Sequence, residues 1–200
     1  MGQRLNIEIK KNDKVIANCY YHWSGYSNSS LELAKLIIDK FDTVHEENDV
    51  IEAIMLLQLT GAGITRPAIS YLYKNIPNFD LEEEIKSDNP WGEYKLHLER
   101  GRDEGLIGIT EKEIDETRRW EEGRITIDVS NKTFDFEVFG KTDELYDDLP
   151  AKELKDFKYK NIKFEEIDEY IKYINGLIEN DKDGHYYKVD GIDNYIYFIY

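Results

Sequence analysis

The chain has 200 residues, of which 40% are hydrophobic, and this is enough for one folded domain with its own core. It holds 26 basic and 42 acidic residues, a formal net charge of −16, which disfavours non-specific binding to DNA, RNA or an anionic membrane surface. A single cysteine, Cys19, excludes an intramolecular disulfide and fits a reducing compartment, and no apolar run is long enough to span a membrane, so we expect a cytoplasmic protein.

The N-terminal segment reads as a β-hairpin. Apolar and polar residues alternate over 3–10 and 14–22, and Asn12-Asp13 is a suitable turn between the two strands. Cys19 lies in the second strand, where we interpret it as a buried packing thiol rather than a nucleophile. Residues 1–40 carry six basic and four acidic side chains, whereas the remaining 160 residues carry 20 and 38. The acidity therefore belongs to the later part of the chain.

Helical periodicity dominates the next part of the sequence. Apolar residues at helical spacing predict an amphipathic helix over 30–42 and a largely buried helix that begins at Asp49. Gly61-Ala62-Gly63 would end this second helix, and Pro67 suits the first turn of a short helix over 67–75.

The second half alternates strands and helices. Thr110 and Glu113 have the spacing of a capping box, which predicts the start of a helix over 111–122. Asn131-Lys132 would turn two strands into a second hairpin. The remaining elements are strands over 92–99, 106–109, 123–130 and 133–139, a helix over 164–179, and one or two strands within 186–200. We therefore predict a single α+β domain over residues 1–200, with a mostly antiparallel sheet, built from the N-terminal hairpin and the later strands, packed against several helices.

The best candidate binding site is the connection between the second strand and the first helix. A strand that leads into a helix N-terminus through a Gly/Ser loop exposes backbone N–H groups at the positive end of the helix dipole, and these can hold a phosphate or a carboxylate. The sequence has neither the Gly-Lys-Ser/Thr of a P-loop nor the glycines of a dinucleotide-binding motif. In the structural alternative, the tryptophan plugs the sheet edge and the serines cap the helix. The residues assigned to this site are His22, Trp23, Ser24, Gly25, Ser27, Ser29 and Ser30.

Two arginines form a second candidate feature. Arg100 and Arg102 lie in the predicted turn 100–105, and arginine can hold a phosphate in a bidentate manner. Arg118-Arg119-Trp120 belongs to the same candidate feature. If the turn lies beside His22, the two features form one ligand-binding site. The alternative is a set of solvated salt bridges.

The sequence predicts no catalytic constellation, no metal site and no cofactor. None of the four histidines has the spacing of a zinc ligand set. Asp181-Lys182-Asp183-Gly184 is similar to the start of a calcium loop, but Ile192 stands at the twelfth position, where such a loop needs a glutamate. We interpret this segment as an ordinary turn.

Two segments, VIANCYYHWSGYSNSSLELAKLII and RGRDEGLIGITEKEIDETRRWEEGRITIDV, resemble small uncharacterised acidic proteins of bacteriophages that infect Gram-positive bacteria. YYHWSGY and RDEGLIGIT carry the resemblance, which covers about a third of the chain. The resemblance implies no particular activity. It implies the cytoplasm of an infected bacterium as the setting and binding as the mode of action, by nucleic-acid mimicry, inhibition of a host enzyme or capture of a nucleotide.

We therefore expect a non-enzymatic binding protein that acts on a host or defence factor. Its partner is either a protein with a basic surface or a nucleotide-like anion held at the 22–30 loop. One alternative is a phosphoester- or nucleotide-processing enzyme, with His22 as acid/base and Arg100 and Arg102 stabilising charge. Another is a structural or assembly protein that forms a homo-oligomer through its tyrosine-rich C-terminal segment.

Overall fold

A computed structural model describes residues 4–22, 24, 27–45, 47–86, 97–98, 105–118, 121, 123–138 and 158–180. Within these ranges the chain forms eight strands and six α-helices. The predicted strand over 92–99 is described only at His97–Leu98, and the predicted strands within 186–200 lie outside the described residues.

The described strands join in one sheet of mixed direction. The strands are β1 (Leu5–Lys11), β2 (Lys14–Tyr21), β3 (Gly63–Ile64), β4 (His97–Leu98), β5 (Leu106–Gly108), β6 (Gly123–Asp128), β7 (Thr133–Val138) and β8 (Lys158–Lys163). Their order across the sheet is β4-β3-β5-β2-β1-β6-β7-β8. The antiparallel pairs are β1–β2, β2–β5, β6–β7 and β7–β8, whereas β1–β6, β3–β4 and β3–β5 are parallel. The predicted α+β class is confirmed, with a sheet that is partly parallel.

Both predicted hairpins are confirmed. The turn between β1 and β2 holds Asn12 and Asp13 at φ angles of 48° and 64°, a left-handed conformation that Asn and Asp tolerate better than most residues. Lys132, in the turn between β6 and β7, has a φ of 52°. Local turn chemistry is therefore sufficient to predict which strands pair, while an irregularity between Ile9 and Lys10 shifts the register of the first pair by one residue.

The helices are α1 (Ser27–Phe41), α2 (Asp49–Gln58), α3 (Arg66–Asn75), α4 (Leu81–Lys86), α5 (Glu111–Arg118) and α6 (Ile167–Asn180), with a 3-10 turn over Phe164–Glu166. The predicted start of α1 at residue 30 was wrong by three residues. Ser30 lies in the first turn of α1 and does not cap the helix. Its hydroxyl donates a hydrogen bond to the Ser24 carbonyl and so stabilises the segment that precedes α1. The predicted capping box of α5 is confirmed: the Thr110 hydroxyl accepts from the Glu113 N–H, and the Glu113 carboxylate accepts from the Thr110 N–H.

The central strand β1 is buried on both faces of the sheet. Leu5, Ile7 and Ile9 point into the hydrophobic core, which α1 and α2 cover. Asn6 and Glu8 alternate with them and are also buried, but they face the opposite side, where α5 lies. The sheet therefore has one apolar and one polar covered face.

The core is built around α2 and β2. Every residue of α2 from Ile51 to Gln58 is buried, as the sequence predicted for a central helix. Cys19 on β2 is fully buried, which confirms its interpretation as a packing thiol, and burial raises the pKa of this thiol well above its ordinary range.

Candidate functional site

The connection between β2 and α1 is partly described. Ser30 is 1% exposed, and its Oγ donates to the Ser24 carbonyl over 2.8 Å, so this hydroxyl stabilises the connection instead of facing a ligand. Ser27 and Ser29 belong to the first turn of α1, and Trp23 and Gly25 lie outside the described residues. The first turn of α1 contains no acidic residue, so its positive dipole end is not neutralised by a carboxylate of that turn.

His22 is half-buried at the end of β2. Its Nδ1 lies 3.1 Å from the Tyr20 hydroxyl, and the two rings meet edge to face with centroids 6.4 Å apart. Because Leu5 pairs with Tyr21 in the hairpin, Arg4 stands opposite His22 at one end of the central strands β1 and β2. Sequence reasoning missed Arg4. The Asn12-Asp13 turn alone would pair Arg4 with Tyr21, and the irregularity between Ile9 and Lys10 shifts the register by one residue.

The predicted turn 100–105 ends at the same end of the strands. Gly105 packs so closely on the ring of Tyr21 that an added Cβ would overlap the ring. The Gly105 carbonyl accepts a hydrogen bond of 2.5 Å from the Gly63 N–H, and the Tyr21 hydroxyl donates to the Thr60 carbonyl over 3.3 Å. Arg100 and Arg102 themselves lie outside the described residues.

A partly buried polar layer covers the other face of the sheet. Sequence reasoning singled out Arg118 as a candidate anion ligand, whereas the structure places it in an ion pair within this layer. Glu8 has a side-chain exposure of 3%, and its Oε1 lies 2.6 Å from the Arg118 Nε and 3.8 Å from the Arg124 Nε. Oε2 of Glu8 accepts from the Thr126 hydroxyl over 3.3 Å. The available signal was the polar residues that alternate with apolar ones along β1 and β2. The polar layer consists of Asn6, Glu8, Asn18, Thr117, Arg118, Glu121, Arg124 and Thr126.

Asparagine amides connect the polar layer to α5. The Asn18 side-chain amide donates to the side-chain oxygen Oδ1 of Asn6 over 2.8 Å and to the Thr117 hydroxyl over 2.7 Å. The Asn6 amide in turn donates to the Glu121 carboxylate over 3.1 Å, and Arg124 forms an ion pair with the same carboxylate. These contacts join α5, β2, β1 and β6, so the polar layer has a structural role.

Asp128 lies at the end of β6. Burial by itself would raise the pKa of this carboxyl group, but hydrogen bonds from Asn131 and from the backbone N–H of Ser130 outweigh it, with Lys10 at 3.5 Å adding an opposite charge. The result is a pKa below the usual value for aspartate, so the ionised form is favoured in the folded protein.

Two surface patches combine an exposed tyrosine with carboxylates. Tyr73 on α3 is 53% exposed, and its hydroxyl accepts from the Leu81 N–H at the start of α4, which carries exposed Glu82 and Glu83. The ring of Tyr73 meets that of Phe79 edge to face, with centroids 5.0 Å apart. This acid–tyrosine patch was not predicted.

The second patch is a groove on α6 with a volume of about 450 Å³, and the described residues that line it are Glu166, Glu169, Tyr170 and Tyr173. Tyr173 is 46% exposed. Tyr170 is half-buried, and its ring meets that of Phe134 edge to face at 6.4 Å. The four lining residues recur at helical spacing on one face of the chain around α6.

Two absences hold for the described residues. No group of three or more His, Cys, Asp or Glu side chains there could hold a metal ion. No helix in the same part of the chain has the length and apolar character needed to cross a membrane.

Comparison with protein-family models, with curated proteins and with solved structures finds no match. The assignment of a function therefore depends on the chain's own residues.

Proposed function

We propose that this chain is a non-enzymatic binding protein that attaches to a positively charged partner surface. The observation that carries the proposal is that Tyr73 and Tyr173, the exposed tyrosines of the described surface, both lie beside carboxylates. Tyrosine is enriched among the residues that contribute most to binding energy, because it offers a large contact area at a small entropy cost. The neighbouring carboxylates select a basic partner, and the net charge of −16 attracts it over a longer range.

The resemblance to phage proteins supplies the biological setting of the proposal. In that setting the partner is a host or defence protein with a basic surface, met in the cytoplasm of an infected bacterium. Surfaces of that kind commonly bind nucleic acid through phosphate contacts. The carboxylates of the chain would occupy those contacts and so block the partner.

A nucleotide-like anion at the connection between β2 and α1 is the second candidate. Arg4 and His22 lie at the end of β1 and β2 from which this connection starts, and the first turn of α1 contains no acidic residue. The involvement of the Ser30 hydroxyl in the bond to Ser24 removes one of the expected ligand groups, so we rank this candidate lower. An enzyme acting on the same anion would use His22 as its acid/base.

The proposal is tested by capture from a lysate of a host bacterium on the immobilised full chain, with mass spectrometry of the bound proteins. We expect the wild-type chain to retain proteins with a basic surface and to release them at about 1 M salt, where the Debye length is only about 3 Å. The variant Tyr73→Ser/Tyr173→Ser should lose them, because it keeps the net charge but lacks both exposed rings.

Leu36→Ser is the matched control, since Leu36 is 48% exposed and is not a tyrosine. Equal retention by the wild-type chain and the double-tyrosine variant would contradict the proposal. The second candidate predicts instead that a nucleotide raises the Tm of the wild-type chain by roughly 5–10 °C at a hundredfold excess over Kd, and that Arg4→Gln/His22→Ala abolishes this shift. Consumption of the nucleotide, lost in His22→Ala, would indicate the enzyme.

A further inference from the structure

We propose that the groove on α6 receives an arginine or lysine side chain of the partner, an inference that rests on the proposed function. Its described lining carries two carboxylates and two tyrosine rings, and no basic residue. A guanidinium or ammonium group is attracted both by the faces of aromatic rings and by carboxylates. This described part of the lining therefore has the chemistry of a cation site.

Two of the four described lining residues, Glu166 and Tyr170, are held in place before a ligand arrives. The Glu166 carboxylate accepts a hydrogen bond of 2.9 Å from the Lys163 N–H, which fixes one of its oxygens at the start of the helical segment. Tyr170 is positioned by its edge-to-face contact with Phe134. Side chains held in this way lose little conformational entropy on binding, so even a single cationic side chain can be recognised.

Two of the lining residues have no internal partner in the described part of the chain. Glu169 is exposed and forms no ion pair there, and Tyr173 makes no hydrogen bond within the same ranges. By contrast, the nearby Asp168 already pairs with Lys35 at 3.2 Å. The charge on Glu169 is thus left to interact with a ligand, and this is the charge complementarity that identifies a cationic occupant.

A blocked hexapeptide with three arginines separated by glycines is the probe, and the same peptide with glutamines in place of arginines is its neutral counterpart. Binding to the full chain is measured by isothermal titration calorimetry and by NMR shifts of α6 at low salt. We expect the arginine peptide to bind and to shift α6 resonances, and the glutamine peptide to do neither. Tyr173→Leu should raise the Kd about two- to fivefold, as expected for loss of a cation–π contact at an exposed ring.

Glu169→Gln should raise the Kd by a similar factor, and Glu111→Gln provides the matched control. Glu111 is exposed on α5, which covers the opposite face of the sheet, so this variant changes the net charge equally without touching the groove. We expect its Kd to remain within about twofold of the wild-type value, because an exposed charge at that distance is screened.

Three results would overturn the groove as the site. If Glu169→Gln and Glu111→Gln weaken binding equally and Tyr173→Leu has no effect, the acidic surface binds cations diffusely, and the proposed function survives without this site. If Tyr173→Leu lowers the Tm and leaves the Kd unchanged, the chain's own residues occupy the groove, and again only the site is refuted. If the arginine peptide does not bind the wild-type chain at all, the site is refuted, and retention of basic proteins from the lysate decides separately on the proposed function.

Discussion

Replacing Arg118 by methionine tests whether an ion pair holds α5 on the sheet. The Arg118 Nε lies 2.6 Å from Oε1 of Glu8, whose side chain is 3% exposed. Methionine keeps much of the apolar stem of arginine but removes its charge and its hydrogen-bond donors. Glu8 would then retain the Arg124 Nε at 3.8 Å and the Thr126 hydroxyl at 3.3 Å.

The expected decrease in the free energy of unfolding is about 2–3 kcal/mol. Removal of one partner from a fully buried ion pair costs about 3–5 kcal/mol, because it leaves a buried charge without compensation. The value is lower here since Arg118 is 33% exposed and Glu8 keeps its two other contacts. In a chain of this size each kcal/mol corresponds to about 2–4 °C, so the Tm should fall by about 4–12 °C.

Thermal and urea unfolding, followed by circular dichroism, measure this decrease. Lys112→Met is the matched control on the same helix, because Lys112 and its partner Glu116 are 82% and 59% exposed and such a pair contributes at most about 0.5 kcal/mol. The double variant Glu8→Gln/Arg118→Met should recover part of the lost stability, since it leaves no buried charge unpaired. Equal effects of Arg118→Met and Lys112→Met would refute the ion-pair role.

Three further predictions concern stability and reactivity. Gly105→Ala should lower the free energy of unfolding by about 1–3 kcal/mol, because its Cβ would overlap the buried Tyr21 ring. Gly176→Ala has open space around the added Cβ and should raise this free energy by up to about 1 kcal/mol. Urea titration measures both, and equal effects of the two variants would contradict the close packing at Gly105. Asp128→Asn should be less stable than the wild-type chain at pH 7, because a carboxyl group whose pKa is lower in the folded than in the unfolded state stabilises the protein at pH values above the unfolded pKa. The difference in stability should shrink as the pH falls below about 4. A difference that stays constant from pH 7 to pH 2.5 would exclude the charge of Asp128 as its source. The Cys19 thiol should resist iodoacetamide in the native protein and react fully in denaturant, as mass spectrometry would show; rapid native labelling would contradict its burial.

Local patterns predicted the elements that depend on near neighbours in sequence. The hairpin turn at Asn12 and Asp13 needs a left-handed backbone, which these residues adopt at a low cost. The capping box of Thr110 and Glu113 satisfies N–H groups within a single helical turn. The start of α1 was missed because a serine hydroxyl can either cap a helix or bond to the segment before it. The hydrogen bond from Ser30 to the Ser24 carbonyl shows that the second case applies.

The candidate site at the end of β2 was predictable only in part. The alternation along the hairpin located His22 at the end of a strand, and its register places Arg4 opposite. The proximity of Gly105 to Tyr21 depends on the pairing of β2 with β5, which joins segments more than 80 residues apart in the sequence. Pairing at such a distance follows from the closure of the whole sheet, so no local pattern could predict it.

The sequence by itself determined the acidity of the chain, its α+β class, both hairpins and the buried thiol of Cys19. These properties follow from composition and from contacts between residues that are close along the chain. Only the tertiary structure decided the parallel pairing of β1 with β6, the burial of Glu8 beneath Arg118, and the groove that contains Tyr173. The physical reason is that a charged or aromatic side chain has the same local pattern whether it is covered or exposed, and packing between distant segments makes the difference.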